Sequence, residues 1–237
     1  MGTYEKETNC IVMELKLEHI NVNLPIRGGG NRKLLSGVNL SVQGGDFTLL
    51  YGDNGSGKTS LIRAVAGLNP YYSGSIQIRE KAVDVESHIG LIKSHSSILL
   101  TVPVRPVGMR VREFLDLYEN ERDIALYKEL FELFSIGKLM DSFMDSVSDG
   151  ERQKVLLTKV LSKKTNLLIL DEPSTYLDFN SREKLYDFLS SRLIKLNKAI
   201  LISTHDLHNA KKHLNNSYYV KDGAVEETGL ELTISKT

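Results

Sequence analysis

Apolar and polar residues alternate near the start of this chain. Met13, Leu15 and Leu17 lie on one side of residues 11–18, and Glu14, Lys16 and Glu18 on the other, the period of a strand buried on one face. Val38, Leu40 and Val42 repeat that pattern. Between them Arg27-Gly-Gly-Gly-Asn-Arg32 predicts a hairpin loop, and no helix follows it, so this glycine run reads as a turn. Residues 47–51 predict a short apolar strand. In residues 58–66, Leu61, Ile62 and Val65 fall at helical spacing, with Gly67 as a cap and Pro70 beyond it. Residues 75–79 add a strand. From 111 to 140 the texture becomes helical: Phe114 and Leu115, then Ile124, Tyr127, Phe131 and Phe134, recur every three or four residues among charges. Residues 167–170, 199–203 and 218–220 predict buried strands. A helix over 182–196 carries Leu185, Phe188, Leu189, Leu193 and Leu196 on its apolar face. The methionines and aromatics of these segments read as core.

A chain of 237 residues suits one large α/β domain, or one domain with a subdomain. Thirty basic residues balance thirty acidic ones, so no net field recruits nucleic acid or anionic lipid. The single cysteine, Cys10, excludes an intramolecular disulfide framework and suits a reducing compartment. The N-terminus lacks the apolar core of a secretory signal, and no apolar run reaches bilayer length. Any link to a membrane is expected through a partner.

Candidate chemistry sharpens this picture. Gly52-Asp53-Asn54-Gly55-Ser56-Gly57-Lys58-Thr59 fits the phosphate-loop pattern G-x-x-x-x-G-K-[ST], placed between a predicted strand and a predicted helix that begins Lys58-Thr59-Ser60. Small residues there let backbone N–H groups curl around phosphate oxygens, the lysine adds charge, and the threonine hydroxyl reaches Mg²⁺. The strand 167–170 ends in Asp171-Glu172, two successive carboxylates suited to holding a metal and aiming a water. Ser148-Asp149-Gly150-Glu151 has the S-x-x-E spacing of a capping box, and the same helix start is also a ready anion site. Pro173-Ser-Thr-Tyr-Leu-Asp178 follows the twin carboxylates. His205 sits past the end of the 199–203 strand, where an imidazole can meet a terminal phosphate, although a lone histidine is more often structural.

This ordered set, covering nearly the whole chain, resembles the ATP-binding-cassette ATPases. Residues 52–59 look like their Walker A loop, 167–172 their Walker B strand, 147–151 their signature, 174–178 their D-loop and His205 their switch histidine. The resemblance implies an α/β fold: a P-loop NTPase core, an antiparallel β subdomain and an inserted α-helical subdomain over roughly 102–150, within a single domain, 1–237. It implies ATP and Mg²⁺ as ligands, with Lys58 on the phosphates and Thr59 on the metal. Asp171 would hold the ion through water and Glu172 would polarise the attacking water. It also implies a head-to-tail homodimer on nucleotide binding, with Ser148–Glu151 closing on the partner's loop and Asp178 communicating across the interface. Membrane permease subunits would contact the helical insert, a substrate-binding protein would act indirectly, and no nucleic acid is involved. The expected location is cytoplasmic, on the inner face of the cell membrane.

Three departures stand out. The position usually held by an aromatic that stacks on adenine is Leu24, and the signature reads VSDGE instead of LSGGQ. No glutamine lies between Gln77 and Gln153, where the family places one on Mg²⁺. Thr101 takes that position if Ser-Ile-Leu-Leu is the preceding strand, and His95 if the strand is 89–92. The runs Ser-Asp-Gly-Glu-Arg-Gln-Lys-Val, Leu-Asp-Glu-Pro and Ser-Thr-His-Asp-Leu resemble the group that imports iron complexes, namely ferric siderophores, haem or cobalamin. Alternatives are an exporter ATPase, or a soluble cassette without a transport role.

Overall fold

The computed structural model describes residues 12–26, 28–79, 81–82, 88–101, 105–117 and 119–229. Expectations for Cys10, Ile11, Arg27 and the start of the helical insert at 102 fall outside these residues. β1 (Met13–Pro25) and β2 (Asn31–Gln43) form an antiparallel hairpin in the register Leu17 to Leu40 and Pro25 to Asn31. β1 also pairs with β4 (Tyr72–Ile78), which pairs with β5 (Lys81–Ala82), giving the order β2-β1-β4-β5. β1 runs seven residues past the predicted 18, and bulges re-aim it along the way. Glu14 departs from the expected alternation: it is buried, with Arg79 Nε 3.6 Å and Asn166 Nδ2 3.4 Å from its carboxylate. Partners, not period, decide whether such a group goes inside.

The second sheet has the order β10-β9-β3-β8-β7-β6. β3 (Phe47–Gly52), β6 (Ser96–Leu99), β7 (Leu167–Asp171), β8 (Ala199–Ser203) and β9 (Asn216–Lys221) run parallel, and β10 (Ala224–Glu227) closes one edge antiparallel. The central strands are apolar throughout because both faces are covered. Leu168, Leu170, Ile200 and Ile202 pack among residues of α3 (Val111–Asp116), α4 (Ile124–Leu133), α5 (Asp149–Leu161) and α6 (Phe179–Asp187). Their neighbours Leu167, Ile169 and Leu201 face α1 (Lys58–Val65), α2 (His88–His95) and the antiparallel sheet. The short α7 (Leu207–Ala210) follows β8. Among the described residues no helix is long and apolar enough to cross a membrane.

Two helices differ from their expected patterns. On α4 the buried stripe is Leu126, Leu130 and Phe134, while Tyr127 and Phe131 are half-buried and Ile124 is exposed. The predicted helix 182–196 is α-helical only to Asp187, then passes through a π-turn (Phe188–Leu193) and a 3₁₀ turn (Ile194–Leu196). Ser190 Oγ donates to Tyr186 O at 2.8 Å and Ser191 Oγ donates to Asp187 O at the point of change, so side-chain hydroxyls compete there with the backbone ladder. The phase shift leaves Leu196 exposed.

Beyond their shared apolar core, α5 is fastened to α3 by the Lys159 ammonium. Lys159 Nζ donates to the carbonyls of Phe114 (2.6 Å), Leu117 (2.5 Å) and Leu115 (3.4 Å), the acceptors left open where α3 ends. Lys159→Met is expected to lower the unfolding free energy by about 1–3 kcal/mol, because the carbonyl of buried Phe114 loses this donor, while Leu115 O keeps Arg122 and Leu117 is exposed. Urea denaturation checks this, and an unchanged midpoint would show the carbonyls find water instead.

Candidate active site

Parallel strands put their C-terminal ends on one edge of the sheet, the place where open α/β sheets bind ligands. β3 delivers Gly52–Gly57 there and β7 delivers Asp171 and Glu172. β8 delivers Ser203 followed by His205, and Thr101 lies two residues past β6. The 89–92 segment is helical, inside α2, so the register with Thr101 is the one the backbone adopts. His95 ends α2 with its Nδ1 2.7 Å from Ser94 Oγ and 3.1 Å from Leu91 O.

Asp171 is 1% exposed, yet its carboxylate is well supplied with donors. Thr59 Oγ1 donates to Oδ1 at 3.3 Å, Thr101 Oγ1 donates to Oδ2 at 2.6 Å, and Ser203 Oγ donates to Oδ1. Ser203 escaped the sequence reading, although it lies in the quoted Ser-Thr-His-Asp run. The signal was the parallel register, which sets Asp171 opposite Ser203.

The glycine loop is shaped by close approach. Gly52 has φ 148°, and a Cβ there would stand 2.2 Å from Val220 O of β9, so only glycine fits. Asp53, Asn54 and Gly55 are exposed at the loop crest, with Ser56 and Gly57 half-buried and Thr59 and Ser60 in the first turn of α1. Lys58 is buried and folds back, Nζ donating to Gly52 O at 2.8 Å and Asp53 O at 3.0 Å. Burial holds its pKa below the usual lysine range, and the carboxylates of Glu172, Asp171 and Asp53 partly offset this.

Glu172 has φ +50°, a left-handed backbone that a non-glycine residue adopts only when held. Its N–H donates to Ser203 O at 2.9 Å, and its carbonyl accepts from Thr175 N at 3.3 Å and Thr175 Oγ1 at 3.0 Å. Burial raises its carboxyl pKa, while His205 and Lys58 pull it back down. Glu172 Oε1 lies 2.8 Å from His205 Nδ1, so the histidine's contact here is the carboxylate.

Ser148 caps α5: its Oγ accepts from Glu151 N at 3.3 Å, and Glu151 Oε2 accepts from Ser148 N at 3.2 Å and Ser148 Oγ at 2.8 Å. Asp149 pairs with Arg105 at 3.0 Å and with Arg152. The helix also grips the segment after Glu172. Gln153 Nε2 donates to Pro173 O at 2.7 Å, and Lys154 Nζ lies 2.8 Å from Asp178 Oδ2. Asp178 in turn caps α6 by accepting from Ser181 N at 2.8 Å. The Lys154 hydrogen bond, then those from Ser181, hold its carboxyl well below the usual carboxylate range. Among the described residues no hydrogen bond joins 148–151 to the 52–59 loop.

Residues 35–175 match the ABC transporter family. The chain belongs to that family. The cassette is 32% identical over 194 residues to the zinc import ATP-binding protein ZnuC of Marinobacter nauticus, a match covering 82% of this chain and 69% of that protein. It is also 32% identical over 217 residues to the sulfate/thiosulfate import ATP-binding protein CysA of Bradyrhizobium diazoefficiens, covering 89% and 63%. A solved dimeric bacterial ABC transporter cassette superposes with TM-score 0.80 at 20% identity, covering 92% of this chain and all of that one. These relatives establish the cassette fold and an ATP-hydrolysing, nucleotide-binding subunit that works with ATP and Mg²⁺.

They also correct one expectation. The relatives are zinc and sulfate importer ATPases, so the assignment to the iron-complex group is overturned. The runs that suggested it surround triphosphate chemistry, which is the same whatever is carried. The cassette's residues fit Mg·ATP on their own terms. Ser56 Oγ is buried with no hydrogen-bond partner among the described residues, Lys58 holds an ammonium over the loop, and Thr59 and Asp171 meet beside it. Leu24, the residue expected where the family stacks an aromatic on adenine, is exposed at the end of the β1 hairpin.

Gly150 tests how tightly α5 meets the following loop. A Cβ there would lie 2.8 Å from Tyr176 O. Gly150→Ala is therefore expected to destabilise the cassette by about 1–3 kcal/mol, against the roughly 1 kcal/mol gain that alanine gives a helix. Urea denaturation reads the sign directly, and a more stable variant would refute the close contact.

Proposed function

We propose that this cassette is the motor of an ABC importer and works as a head-to-tail pair, each chain supplying half of both ATP sites. The observation that carries the site reading is the buried Asp171 carboxylate. It gathers the hydroxyls of Thr59 and Thr101 beside the loop of Lys58, with Glu172 next in sequence. In this reading Lys58 and the amides of Gly52–Ser60 bind the β- and γ-phosphates. Thr59, Thr101 and Asp171 hold Mg²⁺, whose charge neutralises the phosphate oxygens. Glu172 orients the attacking water. His205 keeps that carboxylate aimed through the 2.8 Å contact and completes the site toward the γ-phosphate.

The pair is supported by the exposed Ser148 and Asp149, which face no group of their own chain's loop, and by the dimeric cassette of the same fold. Closure would bring Ser148–Glu151 of one chain onto the loop of the other and set Asp178 at the seam. The importer reading is supported by the two relatives named for import. Segment 102–150 is the face offered to membrane permease subunits, which would hold the cassette at the inner face of the membrane. A substrate-binding protein acts through them, and the cargo is chosen by these partners.

Glu172→Gln is expected to keep nucleotide affinity while hydrolysis falls about 10²–10⁴-fold. With Mg·ATP the variant should elute as a dimer, whereas the parent returns to monomer as ATP is consumed. A variant that turns over normally, or stays monomeric when saturated, sinks the reading. For the importer, the cassette reconstituted with its permease should hydrolyse ATP faster when loaded binding protein is added to the outer side. Stimulation by cargo from the cassette side would mark an exporter instead.

A further inference from the structure

Behind the Glu172–His205 contact lies a hydroxyl that no part of the mechanism uses. Tyr186 of α6 is 1% exposed, among the largest fully buried side chains of the protein. Its hydroxyl donates to Thr204 Oγ1 at 3.1 Å and stands 3.5 Å from Ser174 Oγ. Both partners are themselves buried. Ser174 lies two residues after Glu172, and Thr204 immediately precedes His205.

Thr204 Oγ1 has a second task. It accepts from Asp206 N at 3.0 Å, closing a side-chain turn that carries His205 at its tip. The His205 side chain is 66% exposed, and the one polar contact it makes among the described residues is with Glu172. Packing therefore does little to aim the imidazole, and its direction is inherited from the backbone of this turn. α6 braces the turn twice, through Tyr186 to Thr204 and through Arg182 Nε to Asp206 at 3.6 Å. The same helix starts at Asp178, which is tied to α5.

We propose that Tyr186 is a positioning residue for ATP hydrolysis, its hydroxyl fixing the Thr204 turn so that His205 meets Glu172. The inference rests on the proposed roles of Glu172 and His205. The ring fills the core, and the hydroxyl supplies the alignment. Burial pushes the phenol up to about 12, so it stays a protonated donor throughout the working pH range.

The test separates the hydroxyl from the ring. Tyr186→Phe keeps the ring, and kcat is expected to fall about ten- to hundredfold, the scale of a misaligned catalytic group. KM for ATP should stay at the parental value, and stability in urea should fall by no more than the loss of one hydrogen bond. Thr204→Val should give the same loss, the double variant should be no slower than the worse single one, and Thr204→Ser should restore the rate. The proposal is overturned if Tyr186→Phe retains the parental kcat, or if the two losses multiply. It is equally overturned if kcat falls only in step with the urea midpoint. Glu172→Gln, run beside these, tells the two readings apart. If it hydrolyses ATP at the parental rate, the proposed catalytic site falls and this inference with it. If it is inactive while Tyr186→Phe is normal, this inference alone is wrong.

Discussion

A carboxylate taken out of water has to be met by donors, or the fold that buries it is heavily penalised. Asp171 meets this demand with three hydroxyls drawn from three other segments: the first turn of α1, the second residue past β6, and the last residue of β8. Hydrogen bonds to a charged group contribute about 1.5–3 kcal/mol each, so one side chain cross-links four pieces of chain at the sheet edge. Parallel pairing makes this possible, because it brings the ends of β3, β6, β7 and β8 to the same side. The loop that holds Lys58 and the carboxylate that follows Asp171 are positioned as a consequence.

A second layer of contacts lies behind that edge and is carried by α5 and α6. Gln153, Lys154 and the bare Cα of Gly150 hold the chain that leaves Glu172, while Tyr186 and Arg182 hold the chain that leaves Ser203. Glu172 sits between these two anchored segments in a left-handed backbone conformation. Its geometry is over-determined by neighbours, the condition under which a strained residue persists at a reacting site. The exposed groups, His205 and Asp178, are aimed by backbone and caps rather than by packing.

Much of this was legible in the sequence, for identifiable reasons. The strands around Phe47, Leu168 and Ile200 are continuous apolar runs because both faces are covered, and the phosphate loop declares itself through a lysine after glycines between strand and helix. Thr101 and His95 stayed open alternatives in the sequence, because the choice turns on whether 89–92 or the segment after it is the strand, and only the fold shows the first as helix and the second as β6. What escaped depends on tertiary partners. Ser203 and Tyr186 look like ordinary polar and aromatic residues until β7 lies beside β8 and α6 lies behind both. Glu14 reads as exposed until Arg79 and Asn166 arrive, and the π-turn after Asp187 comes from serine hydroxyls that periodicity does not weigh. The cargo group was misread for a different reason: the motifs report triphosphate chemistry, which importers of unlike cargo share.

The ammonium of Lys58 is solvated by the Gly52 and Asp53 carbonyls. An entering anion competes with two peptide dipoles instead of meeting a bare cation. A singly charged ion gains little from that exchange, whereas a chain of phosphates brings several formal charges and enough oxygens to engage the amides at once. Discrimination against small anions would then begin at two neutral oxygen atoms, before a nucleobase has been read.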